Sequence, residues 1–218
     1  MVGIDVDTAP GTYPIHDVVD RVGQPPLTTA RDLRVVPKRF QTRRLRVAGG
    51  FVNPPARAMR RIQDEAQRLQ TLFAIVTLDL WHGAFHAPLT APASGNFGTR
   101  SVFNGQTRSP HAGVDFRSRA GTPVAAPGAG SVAIAEPLFF TGNTVVIDHG
   151  LGVYSLLAHL SRFAVEAGER VERDQIVGFV GATGRVTGPH LHWAVRVHGA
   201  RVGPLSLIAV TKEKERSE

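Results

Sequence analysis

The sequence predicts a mainly β protein. Three observations carry that expectation. The 218 residues include 23 Gly and 15 Pro, which favour turns over long helices. Apolar runs in the second half are short and bounded by glycine. Only one segment holds a helical period for several turns. With 42% apolar and 20% charged residues, the chain has the ordinary balance of a folded protein that buries a core.

Residues 1–52 read as a partial N-terminal β segment. Residues 2–6 (VGIDV) alternate with period two, and Pro10-Gly11 reads as a turn. Residues 33–37 and 44–47 are further strand candidates, too few for a complete domain. A strand starting at Val2 would leave an unpaired edge.

A helix is expected over 53–76. Asn53 suits the N-cap and Pro54 the first helical position. Met59, Ile62, Ala66, Leu69 and Phe73 form the expected inward stripe. Arg60–Asp64, Arg61–Glu65 and Asp64–Arg68 are i, i+4 pairs for the outer face. Residues 77–91 form a connector with Trp81 and Phe85. From 95 to about 207 the pattern is strand and turn, with apolar or alternating runs at 145–147, 153–157, 176–180 and 191–197, and residues 92–210 are read as one compact domain. Residues 211–218 are a charged tail.

The net charge is +7, and the only lysines are Lys38, Lys212 and Lys214. A basic surface suits nucleic acid, anionic lipid or an anionic wall polymer. No nucleic-acid motif accompanies the charge, so nucleic acid is not an expected partner. No apolar run approaches the ~20 residues of a transmembrane segment. The opening MVGIDVDTAPG has neither the basic nor the apolar part of a signal peptide.

The chain has no cysteine, so a metal site must use His, Asp or Glu. Three pieces carry such residues. In His111-Ala-Gly-Val-Asp115, an extended chain places His111, Gly113 and Asp115 on one face, with Gly113 leaving space for an ion. In His190-Leu191-His192, two imidazoles share a face that is awkward to bury without a partner. The third piece is His159 in Leu-Leu-Ala-His-Leu. An H-x-x-x-D spacing occurs often by chance. Its occurrence with H-x-H in a cysteine-free β domain points to a metal, and two histidines with one carboxylate is a common protein ligand set for catalytic zinc.

The order and spacing of several motifs resemble the lysostaphin-type (LytM-like) zinc metallopeptidases. The motifs are Asn96-Phe97-Gly98-Thr-Arg100, Ser109-Pro110-His111-Ala-Gly113-Val114-Asp115-Phe116, Gly121-Thr122-Pro123-Val124, GNTVVIDHG at 142–150, Ala158-His159-Leu160-Ser161 and TGRVTGPHLH at 183–192. The resemblance covers about residues 92–207. It implies a compact antiparallel β-sheet domain with a groove, and a peptidoglycan endopeptidase activity. By the same resemblance His111, Asp115 and His192 are the ligands of one Zn2+, and His159 and His190 are the catalytic pair. The implied substrate is the peptide stems of peptidoglycan, and the implied compartment is the cell envelope, periplasmic or extracellular. That compartment requires export, so a signal sequence and the rest of the β segment are expected to precede residue 1.

Three positions depart from the family pattern: Leu157 where many relatives have an aromatic, Asp174 in place of a turn glycine, and Gly203 before Pro204 in place of an acidic or amide residue. A non-catalytic wall-binding or hydrolase-activating module of the same fold is the rival reading. Such modules typically lack ligands, and here all five site residues are present. The rhythm of 167–178 also suits a lipoyl or biotinyl carrier, but a carrier needs an exposed turn lysine and none lies between Lys38 and Lys212. His149, in an Asp-His-Gly turn, reads as structural. His16, His82, His86 and His198 read as surface or packing residues.

Overall fold

The structure is a computed structural model that describes residues 1–45, 54–78, 81–95, 97–103, 105–107 and 109–215. The chain separates into two compact units, one of residues 7–40 and one of the remainder.

The smaller unit is a hairpin of two long antiparallel strands, β1 (Gly11–Arg21) and β2 (Gln24–Val35). Pro10-Gly11 therefore leads into a strand rather than turning the chain. The turn falls at Val22-Gly23, where Gly23 takes a φ of +73°. Most side chains of both strands are exposed, so no buried face imposes the alternation that reveals a strand in sequence.

The larger unit is built on a ten-stranded sheet. Its strands are β4 (Ala93–Gly95), β7 (Gly113–Arg117), β8 (Pro123–Ala125), β9 (Gly130–Leu138), β10 (Gly142–Gly150), β11 (Val153–Phe163), β12 (Arg170–Val171), β13 (Ile176–Val180), β14 (His190–Val197) and β15 (Ala200–Val202). The path runs β12-β9-β10-β11-β14-β7-β4. Strand β13 joins the far end of β11 and carries β8, while β15 lies beside β14. All of these pairings are antiparallel. A second, three-stranded sheet contains β3 (Thr42–Leu45), β5 (Arg100–Phe103) and β6 (Gln106–Thr107), with β3 parallel to β5. Residues 46–47 of the expected strand at 44–47 lie outside the described residues.

Alternation along the central strands gives the sheet two faces. Leu157 of β11, Leu191, Trp193 and Val195 of β14, and Val114 and Phe116 of β7 enter the main core. Phe85 and Leu89 of the 77–91 segment are buried in that same core. The opposite face carries Tyr154, Leu156 and Ala158 of β11 with Ala194 of β14. Helix α1 (Ala56–Phe73) covers part of it through Leu69, Leu72 and Phe73. The Phe73 ring meets Tyr154 edge-on at 5.5 Å.

The helix differs from expectation in three respects. It starts at Ala56 with Pro55 as an N-cap that has no side-chain bond; Asn53 lies outside the described residues. Its buried stripe is rotated: Ala58 is buried and Ile62, Glu65, Leu69 and Leu72 are half-buried, while Met59 and Ala66 are exposed. Glu65 turns inward because its carboxylate accepts both Arg61 at 2.6 Å and the Phe139 backbone N–H at 2.8 Å. Arg68 pairs with Glu136 of β9 rather than with Asp64, because a strand carboxylate lies beside the helix.

Two further expectations are corrected. Residues 2–6 form no strand; they run along β14–β15, where the Asp5 carboxylate accepts the Arg201 backbone N–H (2.8 Å) and its guanidinium (3.0 and 2.5 Å). Residues 204–215 are a helix, α2 (Pro204–Glu215), rather than a strand end and tail. Leu207 anchors it in the core, and the buried Thr211 hydroxyl accepts the Phe85 N–H at 3.0 Å. Its sequence signal is Pro204 at the first helical position. Gly203 caps that end, its carbonyl accepting from Ser206 and Leu207.

Candidate metal centre and active site

The site lies on the sheet face that α1 partly covers, on the strands beyond it. Three neighbouring strands build it. Register places Ala158 of β11, His192 of β14 and Asp115 of β7 in one row across the sheet. The next row holds Leu156, Ala194 and Gly113. Gly113 has a different role from the expected one of making room for an ion. A Cβ there would stand 2.2 Å from the Trp193 carbonyl oxygen, so its absence lets β7 press against the β14 backbone. His111 precedes β7 and is fixed by its own backbone: its N–H donates to Thr99 O and its carbonyl accepts from Gly98.

The three side chains converge on one point. His111 Nε2 is 3.0 Å from Asp115 Oδ1 and 3.1 Å from His192 Nδ1, and His192 Nδ1 is 2.9 Å from Asp115 Oδ1. Around a tetrahedral zinc with bonds near 2.0–2.1 Å, neighbouring ligand atoms stand about 3.4 Å apart, so this triangle needs little expansion to take the ion. Two imidazole nitrogens and a carboxylate oxygen crowded in a half-buried setting require a proton or a cation between them. Burial would raise the Asp115 carboxyl, but hydrogen bonds from His111 and His192 outweigh it and hold the group well below the usual carboxylate range. Burial lowers His192, which favours the neutral, ligating form of imidazole. The residues present fit a metal.

His159 and His190 stand beside this triangle. The two rings are 4.8 Å apart, and His159 is 6.0 Å from His192. His159 sits on a β-bulge: between the pairs Asn143–Leu160 and Val145–Leu157, β11 has one more residue than β10. There it adopts a φ of +67°, a conformation uncommon for a residue with a side chain. Its N–H donates to Thr141 O (2.9 Å), and its ring Nδ1–H donates to Thr183 O (2.9 Å). The Thr183 hydroxyl ties that loop down, donating to Leu160 O and accepting the Asn143 N–H. His190 Nδ1–H donates to Gly188 O at 2.9 Å. Both rings thus commit Nδ1 to a carbonyl, which leaves the lone pair of the neutral ring on Nε2. Burial, reinforced by the charge of His192, pushes His159 down to about 3 and keeps it neutral at physiological pH.

The site face explains why five separated residues meet. Their approach depends on strand register, on the bulge and on the left-handed backbone at His159. The bulge and the Thr183 support carry no sequence signal beyond the motif letters.

The other histidines lie elsewhere. His149 is fully buried in the core, its ring donating from Nδ1 to Ala129 O (2.8 Å) and accepting at Nε2 from Ser155 Oγ (2.9 Å). Ser155 Oγ in turn accepts the Trp193 indole N–H at 3.1 Å. Burial lowers His149 to about 4. His86 pairs with Asp174 at 3.0 Å. Asp174 takes a φ of +69°, the conformation for which glycine is the ordinary choice. Leu157 is fully buried against the core rather than facing the site. His16, His82 and His198 are exposed.

Residues 109–204, which contain all five side chains, match the profile of Peptidase family M23. A crystal structure assigned to peptidase M23 from Pseudomonas aeruginosa superposes with a TM-score of 0.74 at 34% identity, covering 95% of this chain and 77% of that one. The chain belongs to peptidase family M23. Within the family, it is 42% identical over 113 residues to the peptidoglycan DD-endopeptidase ShyA of Vibrio cholerae, covering 51% of this chain and 26% of that protein. A zinc-containing peptidase from Vibrio cholerae superposes with a TM-score of 0.53 at 32% identity, covering 56% of this chain and 39% of that one. This M23 chain thus spans about a quarter of the length of the curated relatives it matches. No helix among its described residues is long and apolar enough to cross a membrane.

Proposed function

We propose that this chain is a zinc-dependent endopeptidase that hydrolyses peptide cross-links of bacterial peptidoglycan, acting in the cell envelope. The observation that carries the reading is the His111–Asp115–His192 triangle flanked by two histidines whose Nε2 atoms are left to work. The zinc-containing neighbour and the DD-endopeptidase relative support the choice of metal and substrate.

His111, Asp115 and His192 would hold the ion. Zinc held by such a set polarises a carbonyl and brings the pKa of a water towards ~7. His159, kept neutral by burial and with Nδ1 committed to Thr183, presents an Nε2 lone pair that accepts a hydrogen bond from the attacking water and orients it. His190 Nε2 takes the water proton. Once protonated, it donates to the oxyanion that develops on the scissile carbonyl and then returns the proton to the departing amine. The carbonyls of Thr183 and Gly188 hold both rings in the required tautomer. The non-catalytic alternative gains no support from a site in which every donor is in place.

Digestion of purified sacculi tests the proposal. Soluble peptide-linked fragments, identified by mass spectrometry, should be released by the metal-loaded protein. The release should stop with chelator and return with zinc. Intact sacculi after digestion by fully metal-loaded protein would refute it.

A further inference from the structure

Strand β7 carries a charge next to the site that the reaction above does not use. Asp115 and Arg117 are two residues apart on one unbulged strand, so both project from the site face, while Val114 and Phe116 enter the core. Arg117 lies directly opposite His190 in the β7–β14 register. Such cross-strand pairs are about 5 Å apart at Cα, so the Arg117 side chain can reach within one or two peptide residues of any bond held at His190. Arg117 is exposed and makes no hydrogen bond or ion pair with another described residue. Arg61, Arg68 and Arg201, by contrast, are each paired with a carboxylate.

The far side of the site carries a second guanidinium. The Arg185 guanidinium lies 4.4 Å over the Phe140 ring, and its backbone N–H donates to Phe140 O at 2.9 Å. The neighbouring Thr141 and Thr183 supply the two carbonyls that hold His159. The order β11-β14-β7 therefore places a stacked arginine on the His159 side and a solvated one on the Asp115 side.

We infer that Arg117 is a specificity-determining residue that pairs with a free carboxylate of the substrate, one or two residues from the scissile bond. The inference rests on the endopeptidase reading for the position of that bond. A planar guanidinium matches a carboxylate through two parallel hydrogen bonds and gains much less from the corresponding amide. A peptide carrying the carboxylate should therefore be preferred over one in which it is amidated. No such selection would come from the metal ligands, which act on the scissile bond whatever flanks it.

Two labelled cross-linked peptides, identical except for carboxylate or amide beside the cross-link, provide the test. Both binding by fluorescence anisotropy and cleavage are measured on the zinc-loaded protein. Wild type should favour the carboxylate peptide by about tenfold in Kd and in kcat/KM. Arg117→Ala and Arg117→Gln should abolish that preference while leaving kcat/KM for the amide peptide and the zinc content unchanged. Because the side chain is exposed and unpaired, both variants should fold. Cleavage of both peptides with no wild-type preference, or a preference that survives in both variants, overturns the inference and leaves the endopeptidase reading intact. Selective, Arg117-dependent binding without any cleavage supports the inference and sinks the hydrolytic reading instead.

Discussion

His192 and Asp115 face each other across β14 and β7, with Nδ1 of one 2.9 Å from Oδ1 of the other. They are 77 residues apart in the chain, and a one-residue slip of either strand would send one of them into the core. The candidate metal centre therefore depends on the register of the sheet as directly as on the identity of its ligands.

The first prediction concerns the metal. Protein purified without added metal should contain about one ion per chain by elemental analysis. Saturating zinc should stabilise the fold over chelator-treated protein by about 2.7 kcal/mol at about 100 times Kd, seen as a higher unfolding temperature. His192→Ala and Asp115→Ala should each lose both effects. Wild-type metal affinity in His192→Ala would remove that residue from the ligand set.

The second separates catalysis from binding of the ion. His159→Ala and His190→Ala should each lower kcat by ~10²-fold or more while metal content stays at one per chain. Loss of metal from His190→Ala would exchange the roles assigned to the two histidines of the H-x-H pair.

The third concerns Gly113. A methyl group at this position meets the Trp193 carbonyl at 2.2 Å and the Ala194 Cα at 2.9 Å, both of them backbone atoms that cannot rotate away. Gly113→Ala should destabilise the fold by about 3 kcal/mol, the upper end for overpacking, and weaken metal binding as β7 moves from β14. A change below about 1 kcal/mol in chemical denaturation would show that the strands part without cost.

The fourth is a pH dependence. Burial holds His149 near 4 in the folded chain, against 6.5 when exposed. The unfolded chain therefore binds the extra proton first. The contribution of His149 to stability is complete above pH ~6.5 and declines as pH falls towards ~4, by about 3 kcal/mol in total. Denaturation of wild type and His149→Gln across pH 4–7 should converge as pH falls. A constant difference between them would mean that His149 takes up its proton without unfolding.

Much of the site was readable before the fold was known. Motif letters carry the candidate ligating and catalytic residue types, and alternation in 190–197 separates His190 and His192 from Leu191 and Trp193. The β character of residues 93–202 follows from the short runs, apolar where a strand is buried on both faces and alternating where one face is buried. The N-terminal segment hides its strands for the converse reason: β1 and β2 bury neither face, so their apolar residues mark no period. Helix α1 shows the limit for amphipathic stripes. Met59 and Ala66 fit the expected face, yet the charged Glu65 took the inward position because Arg61 and the Phe139 N–H were there to receive it.

Residue chemistry and local period therefore suffice to point to candidate metal-binding residues and to say which strand faces they occupy, while their separate roles rest on the family resemblance. They do not bring together His111, His159 and His192, which belong to separate segments. That meeting depends on antiparallel register across three strands, on a glycine that allows two backbones to touch, and on a bulge that turns His159 into a left-handed conformation held by Thr141 and Thr183. Each of these is a contact between residues distant in the chain, and no local pattern encodes such a contact.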